Sequence, residues 1–221
     1  MHVQLMYYSQ CGEDQFLNEN IFKNKRNGVF LEMGALDGVL YSNTKFFEDS
    51  LDWTGILVEP NPVQFELLEE NRPKCKRYKN IVSDIEEEID FRYFLYGHAA
   101  VSGVKDGIAE SHKRAWFDNP ELSSLPQTIE KMKPRTLTDI IKDSGVSHIN
   151  FFSLDVEGHE LNVLKSYDFS VAIDIILIET MAEKVKENYE CAEILIRKGY
   201  RKIGNVGCND VYRHRHVNDI R

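Results

Sequence analysis

The sequence predicts an α/β fold in which helices cover both faces of a mostly parallel sheet. Short apolar runs recur along the chain with helical segments between them, which is the pattern of successive βαβ units. The first two runs, 29–33 and 55–58, are separated by a turn with two glycines and by one helical segment. A carboxylate, Glu59, follows the second run directly. These features are typical of the first half of a nucleotide-binding α/β unit.

The first half of the chain alternates between predicted strands and helices. Ser42 or Asn43 can cap the first helix, and Asn61, which precedes a proline, can cap the second. Apolar and polar residues alternate at 89–95, which indicates a half-exposed, antiparallel strand. The other predicted elements are strands at 29–33, 55–58 and 77–82, a helix at 43–51 and a helix that begins at residue 62.

The second half returns to regular alternation and ends in a hairpin. Two short strands joined at Gly207 imply one antiparallel strand in the otherwise parallel sheet. The predicted elements are a helix at 137–142 closed by Gly145, a strand at 149–155, a helix that includes residues 161 and 164, a strand at 173–178, a helix from 185 to 199, and strands at 200–206 and 210–213.

Residues 97–127 show no clear periodicity. Such long structureless stretches inside a compact domain are usually functional or disordered. We therefore expect an irregular insertion that acts as a substrate lid, within a single domain that spans residues 1–221.

Composition narrows the class of protein. The net charge of −9 disfavours a nucleic-acid partner, since phosphate binding needs a basic surface. The four cysteines lack CxxC spacing, which favours free thiols in a reducing compartment, and we expect a cytoplasmic location. Neither a membrane segment nor a signal peptide is expected, because no apolar run approaches ~20 residues and the N-terminus lacks a basic region before an apolar core.

Carboxylates interrupt or end the predicted strands. Because the carboxyl ends of parallel strands meet at one rim, we expect these acids to converge on a ligand. For any one of them, capping of the following helix is the alternative. The acids are Glu32, Asp37, Glu59, Asp155 and Glu179.

The turn at 32–38 reads E-x-G-x-x-D-G rather than G-x-G-x-x-G. Its acids would repel a pyrophosphate, whereas S-adenosylmethionine has no phosphate and presents an ammonium, a carboxylate, a sulfonium and a ribose diol. Gly34 would let the backbone approach the methionine part, Glu59 would accept from the ribose hydroxyls, and Asp84 would receive the adenine amine. The sequence therefore favours S-adenosylmethionine over a nicotinamide cofactor.

The chain resembles the FkbM family of S-adenosylmethionine-dependent methyltransferases. The most specific shared motif is L-D-V-E-G at 154–158, which connects a strand to a helix. The resemblance implies a Rossmann-like class I methyltransferase fold, a seven-stranded sheet with the last strand antiparallel, and O-methylation of a hydroxyl on a sugar or another small molecule. Where many members have L-K-I-D, this chain has F-S-L-D at 152–155, so a role for that lysine does not carry over. The other shared motifs lie at 9–14, 30–38, 58–61, 80–84 and 136–141.

The candidate catalytic residues are those that can take the proton of an acceptor hydroxyl: Asp155, Glu157, His159 and Glu13. A structural role is the alternative for each, namely helix capping for Asp155, loop support for Glu157, a surface position for His159 and packing at a helix start for Glu13. The residues assigned to cofactor binding are Glu32, Gly34, Asp37, Gly38, Asn43, Glu59, Pro60, Asn61, Ser83, Asp84 and Asp155.

We expect no metal site, although Asp155 and Glu179 end adjacent strands, because no Asp-Asn pair follows the latter strand to complete a ligand set. The expected partner is a small-molecule or glycan acceptor, and the oligomeric state stays open. Two other functions remain: a catalytically silent module that acts through protein partners, and a methyltransferase that modifies RNA or protein.

Overall fold

The computed structural model describes residues 6–122 and 125–217, which form a seven-stranded and a three-stranded sheet with surrounding helices. The strands are β1 (Val29–Met33), β2 (Thr54–Val58), β3 (Lys76–Tyr78), β4 (Ile89–Phe94), β5 (Gly103–Val104), β6 (Gln127–Met132), β7 (His148–Leu154), β8 (Ala172–Glu179), β9 (Tyr200–Val206) and β10 (Asn209–His214). The helices are α1 (Glu13–Leu17), α2 (Lys45–Leu51), α3 (Pro62–Asn71), α4 (Glu110–His112), α5 (Leu137–Ser144), α6 (Glu160–Lys165) and α7 (Val185–Arg197). None of the helices in these described residues has the length and apolar composition that crossing a lipid bilayer requires.

The larger sheet has the strand order β3-β2-β1-β7-β8-β10-β9. Its strands run parallel except β10, which pairs antiparallel with both β8 and β9. This topology confirms the prediction of a mostly parallel sheet whose last strand is antiparallel.

Four central strands of this sheet end at the same level. Met33 on β1 pairs with Val58 on β2 and with Leu154 on β7, and Leu154 pairs in turn with Ile178 on β8. The residues that follow these four therefore meet at one rim: Gly34, Glu59, Asp155 and Glu179.

Alternate residues of the central strands face two separate hydrophobic cores. Phe30 and Phe151 pack with α1, α2 and α3, whereas Leu31 and Phe152 pack with α5, α6 and α7 on the other face. All four side chains are fully buried. Because both faces of these strands are covered, their sequences are continuous apolar runs.

Helix α2 begins at Lys45, two residues later than the sequence predicts. The backbone N–H of Asn43 and the hydroxyl of Thr44 donate to Glu32 instead, which keeps these residues in a turn. Ser42 still serves the helix start, since its Oγ accepts from the N–H of Lys45 at 3.0 Å. The predicted cap of α3 is confirmed, because Oδ1 of Asn61 accepts from the N–H of Val63, the second residue of the helix, at 3.0 Å.

The segment 97–127 is more ordered than the sequence predicts. Strand β5 lies within it and pairs with β4, which pairs in turn with β6 to form the antiparallel three-stranded sheet. Phe94, Val101, Ile108 and Phe117 form a separate buried cluster, in which the two phenylalanine rings stack 5.1 Å apart. These core residues lie seven or nine residues apart in separate short elements and turns, so no stretch of consecutive residues shows a helical or strand period. The role of the segment as a substrate lid stays a prediction.

Candidate active site

A cleft opens at the rim where β1, β2 and β7 end. Four residues from 99–104, in the segment between β4 and β6, also line it. It encloses about 940 Å³, part of which is open to solvent. The sequence-predicted residues that line the cleft are Glu32, Gly34, Asn43, Glu59, Pro60, Asp155, Glu157 and His159.

Glu32, near the end of β1, is buried and surrounded by donors. Its carboxylate accepts from the Asn43 N–H at 2.6 Å, from Ser42 Oγ at 2.9 Å and from Thr44 Oγ1 at 2.5 Å. The guanidinium of Arg72 lies 3.9 Å away. Burial raises the pKa of Glu32, and the arginine and these hydrogen bonds oppose that rise. Glu32 therefore fixes the 42–44 turn at the edge of the cleft.

Asn43 leaves one buried acceptor unused. Its side-chain amide donates from Nδ2 to Ser153 Oγ at 2.9 Å. Its Oδ1 is buried and has no hydrogen-bond partner among the described residues. A buried carbonyl oxygen without a donor is costly, and one that lines a cleft is a candidate contact for a bound ligand.

Gly34 lets the ends of β1 and β7 approach each other. Its φ is +77°, and a Cβ at this position would lie 2.0 Å from the backbone oxygen of Asp155. No other residue fits there without moving one strand end, so this glycine sets the shape of the rim.

Glu59, directly after β2, is 3% exposed. One carboxylate oxygen accepts from the N–H of Leu36 at 2.9 Å and the other from the N–H of Asn61 at 2.7 Å. Burial raises the pKa of Glu59 to about 7, although these two hydrogen bonds favour the charged form. Each oxygen keeps a lone pair, so Glu59 can accept further donors from the cleft.

Asp155, Glu160 and Glu179 form an acidic cluster beside the cleft, with carboxylate oxygens within 4.8 Å of one another. Burial, and then the charge of Glu160, raise the pKa of Asp155 to about 7. Burial, and then the charge of Asp155, raise the pKa of Glu179 to about 11. The cluster therefore holds protons that isolated carboxyl groups would lose at neutral pH.

The spacing of these three carboxyl groups is also compatible with a divalent cation. Exposed and half-buried acids often lie this close without a metal. The sequence-based expectation that the protein has no metal site stays a prediction.

Glu157 and His159 lie on the loop between β7 and α6, and both line the cleft. Glu157 has a φ of +56°, which is uncommon for a residue with a side chain. His159 is buried, and its Nε2 lies 3.1 Å from Ser83 Oγ. Burial lowers the pKa of His159 to about 4, so the ring is neutral at physiological pH.

Two predicted residues outside the cleft lining, Glu13 and Asp37, are engaged in local hydrogen bonds. The Glu13 carboxylate accepts from the N–H of Cys11 and from the side-chain amide of Asn209. Asp37 accepts from the N–H groups of residues 39–40.

Four more predicted residues are absent from the lining of the cleft in the described part of the chain. Gly38 packs against α3, Asn61 caps that helix, and Ser83 contacts His159. Asp84 accepts from a side-chain amide on α6. A direct contact between a bound ligand and any of these four residues, or Glu13 or Asp37, stays a prediction.

Sequence reasoning missed the wall of the cleft formed by the segment between β4 and β6. This wall is built from small and apolar residues, which carry no motif and no chemical signature. It also missed Tyr41, whose φ of +58° and exposed side chain place it at the mouth. The wall residues are Ala99, Ala100, Ser102 and Val104.

The cleft suits a ligand that carries positive charge and hydroxyl donors. Glu32, Glu59, Asp155 and Glu157 line it, and among the described residues its lining includes no lysine or arginine. An anionic group would be repelled there, whereas a cation would relieve the crowding of the acids. The unused Oδ1 of Asn43 offers one more acceptor.

Comparisons with known proteins identify the family. A search of curated proteins finds no match. Among solved structures, the chain is similar to precorrin-6y C5,15-methyltransferase from Geobacter metallireducens GS-15, with 10% identity and a TM-score of 0.43 over 96% of this chain and 93% of that chain. A family model described as the methyltransferase FkbM domain matches residues 32–202, which is more than half of the sequence. The chain therefore belongs to the FkbM methyltransferase family.

Proposed function

We propose that the protein is an S-adenosylmethionine-dependent O-methyltransferase that acts on a hydroxyl of a sugar or another small molecule. The observation that carries this proposal is one cleft that acidic side chains from several strand ends line, with no lysine or arginine in its lining among the described residues. Such a cleft both attracts a cationic donor and supplies proton acceptors for a hydroxyl.

Family membership implies S-adenosylmethionine as the methyl donor. When bound, it supplies a methyl carbon that its sulfonium already activates. Glu59 would accept from donor hydroxyls, Asn43 would offer its unused oxygen, and Gly34 would keep the ends of β1 and β7 close together beside the ligand. These residues fit S-adenosylmethionine, because none of them requires an anionic partner.

The acceptor hydroxyl must lose its proton, and a positioned base typically contributes ~10²- to 10⁴-fold to such a step. Among the predicted bases, Asp155, Glu157 and His159 line the cleft and Glu13 does not. The Nε2 of His159 is already in contact with Ser83, which leaves the two acids as the better candidates.

The wall at 99–104 adds small and apolar residues to the lining of the cleft, which supports a small acceptor over a protein or RNA. The net charge of −9 also weighs against RNA. Transfer of tritiated methyl to saccharides or small alcohols, with none to RNA, would support this acceptor class; labelling of RNA alone would contradict it.

Calorimetric titration with S-adenosylmethionine and with its demethylated product tests the donor, with NAD as the control ligand. We expect micromolar binding of the first two and loss of at least tenfold in affinity for Glu59→Ala. The matched control is Glu69→Ala, because Glu69 is exposed on α3 and should leave affinity unchanged. Absence of binding at millimolar ligand would overturn the proposal and favour a silent module that acts through protein partners.

A further inference from the structure

His112 connects the segment between β4 and β6 to the loop that carries Glu157. It is the last residue of α4, and it is not part of the described cleft lining. Its Nε2 lies 3.2 Å from the backbone oxygen of Val101, and its Nδ1 lies 3.5 Å from Oε2 of Glu157.

These two contacts determine where the imidazole carries its proton. The Val101 oxygen can only accept a hydrogen bond, so Nε2 of His112 must be the donor. In the neutral ring, Nδ1 is then an acceptor with its lone pair directed at Glu157. A carboxylate would repel that lone pair, whereas a carboxyl group would donate to it. The contact is therefore attractive when a proton lies between Glu157 and His112.

The surroundings favour this neutral arrangement over an ion pair. Burial lowers the pKa of His112. Burial, and then the charges of Asp155 and Glu160, raise the pKa of Glu157. Glu179 on β8 faces the same group of acids, and the charge of Glu157 is one of the causes that raise the pKa of Glu179. A cation also approaches this loop, since the Cε of Lys184 lies 3.4 Å from where a Cβ on residue 158 would stand.

The backbone holds the pair in place. Glu157 has a left-handed φ of +56°, and such strain in a residue with a side chain persists only where its surroundings enforce it. A Cβ at Gly103 would lie 3.3 Å from Cβ of Glu157, and a Cβ at Gly158 would lie 2.5 Å from the backbone oxygen of Gly107. The segment that carries His112 is thus packed directly on the loop that carries Glu157.

We propose that Glu157 is the proton acceptor of the methyl transfer and that His112 is the residue that positions and supports it. This inference rests on the proposed function. As the acceptor oxygen bonds to the methyl carbon, its O–H bond breaks and the proton passes to the Glu157 carboxylate. The carbon–sulfur bond of the donor breaks at the same time, and its electron pair stays on sulfur. The new carboxyl group of Glu157 then donates to Nδ1 of His112.

Nitrogen-15 NMR of histidine-labelled full-length protein tests the pair without any ligand, with His112→Gln used to assign the resonance. We expect a neutral His112 ring with the proton on Nε2 at pH 7. In Glu157→Gln the amide can still donate, so the Nδ1 shift should stay near the wild-type value. In Glu157→Ala the Nδ1 shift should move to the value of a ring nitrogen that accepts no hydrogen bond. An imidazolium at pH 7, or a shift that is the same in Glu157→Ala and wild type, would overturn the proposal.

A second measurement uses the acceptor found in the tritium screen. Because the active carboxylate must first lose the shared proton, kcat should rise with pH through the raised pKa of Glu157. We expect Glu157→Gln to lower kcat by ~10²-fold or more with little change in KM. His112→Gln should lower kcat about tenfold and shift the pH at which kcat rises. An unmoved profile would contradict the role of His112.

The matched control is His98→Gln, because His98 lies in the same segment but packs against Trp116 and Phe94. It should keep the wild-type kcat and pH profile. The NMR result does not depend on the donor, so failure of the pair and failure of the proposed function are distinguishable. If the donor does not bind but His112 shows the expected tautomer, the proposed function alone is rejected. If the donor binds normally but His112 is an imidazolium, the role of the Glu157–His112 pair alone is rejected.

Discussion

On the β1 side of the cleft, the buried acid Glu32 is surrounded by donors, whereas on the β7–β8 side Asp155 and Glu179 are surrounded by other acids. The donors around Glu32 include three hydrogen-bonding groups and the buried Arg72, which also pairs with Glu48. The acidic cluster receives backbone hydrogen bonds at Glu160, and its members raise one another's pKa values.

This difference separates structural acids from reactive ones. A carboxylate with a full set of donors stabilises the fold in one geometry and has little capacity left for a substrate. Carboxyl groups that share protons without a full set of donors are poised to exchange protons near neutral pH. The chemistry of this cleft is therefore expected on the β7–β8 side.

The largest effect is expected where the two sides meet, at Gly34. Gly34→Ala should cost more than ~4 kcal/mol in the free energy of unfolding, because its Cβ would lie 2.0 Å from a backbone oxygen. Gly145→Ala is the control, since its φ of +68° is similar but its Cβ would meet no atom within 4 Å. The Gly145→Ala variant should lose about 1 kcal/mol in the free energy of unfolding. Equal losses in urea unfolding would mean that the strand ends are not in close contact.

A pair of isosteric changes sharpens the comparison between the two sides. Glu32→Gln should cost about 3 kcal/mol in urea unfolding at pH 7, because an amide group would face donors where the carboxylate now accepts. Glu179→Gln should change stability by less than ~0.5 kcal/mol, because a carboxyl group with a pKa of about 11 is already neutral at that pH. A larger loss for Glu179→Gln than for Glu32→Gln would reverse the assignment of structural and reactive acids.

The pH dependence of stability tests how strongly burial opposes the negative charge of Glu59. Since its pKa in the folded protein is about 7, above the ordinary value, ionising it costs stability as the pH rises from about 4.5 towards 7. Glu59→Gln lacks this cost. The variant should therefore gain about 2–3 kcal/mol relative to wild type between pH 4.5 and pH 8.5. Unfolding at both pH values measures the difference, and exposed Glu69→Gln should show none.

The smallest effect is expected at Asp37. Asp37→Ala should cost about 1 kcal/mol, since it removes the acceptor of two backbone N–H groups in an accessible turn. Asp37→Asn should retain most of this stability because its oxygen still accepts. Donor affinity, measured by calorimetry, should change by less than about threefold. A loss above tenfold would show that Asp37 contacts the donor, as the turn motif alone predicts.

Much of the fold was predictable because both faces of the central strands are buried. Continuous apolar runs located β1, β2, β7 and β8, and the terminal hairpin indicated one antiparallel strand. The start of α2 was predicted too early, since no sequence pattern showed that Glu32 would turn inwards and bind the 42–44 turn. Residues 97–127 were predicted to be irregular because their buried side chains are far apart in sequence and lie in several short elements.

Part of the candidate site was also predictable. Glu59 and Asp155 follow parallel strands directly, and parallel register brings such residues together whatever the rest of the chain does. The wall at 99–104 was not predictable, because alanine, serine and valine carry no chemical signature. The contact between His112 and Glu157 joins residues 45 positions apart, and only the packing of two loops creates it.

The sequence by itself determined the order of the strands in the larger sheet along the chain, the rim at which the central strands end, and the family. Local patterns of apolar and motif residues are enough for these features, because each pattern lies within a short stretch of sequence. Only the tertiary structure decided which acids are neutralised and which share protons. That distinction depends on the donors within hydrogen-bond reach of each carboxyl group, and these donors come from distant parts of the chain.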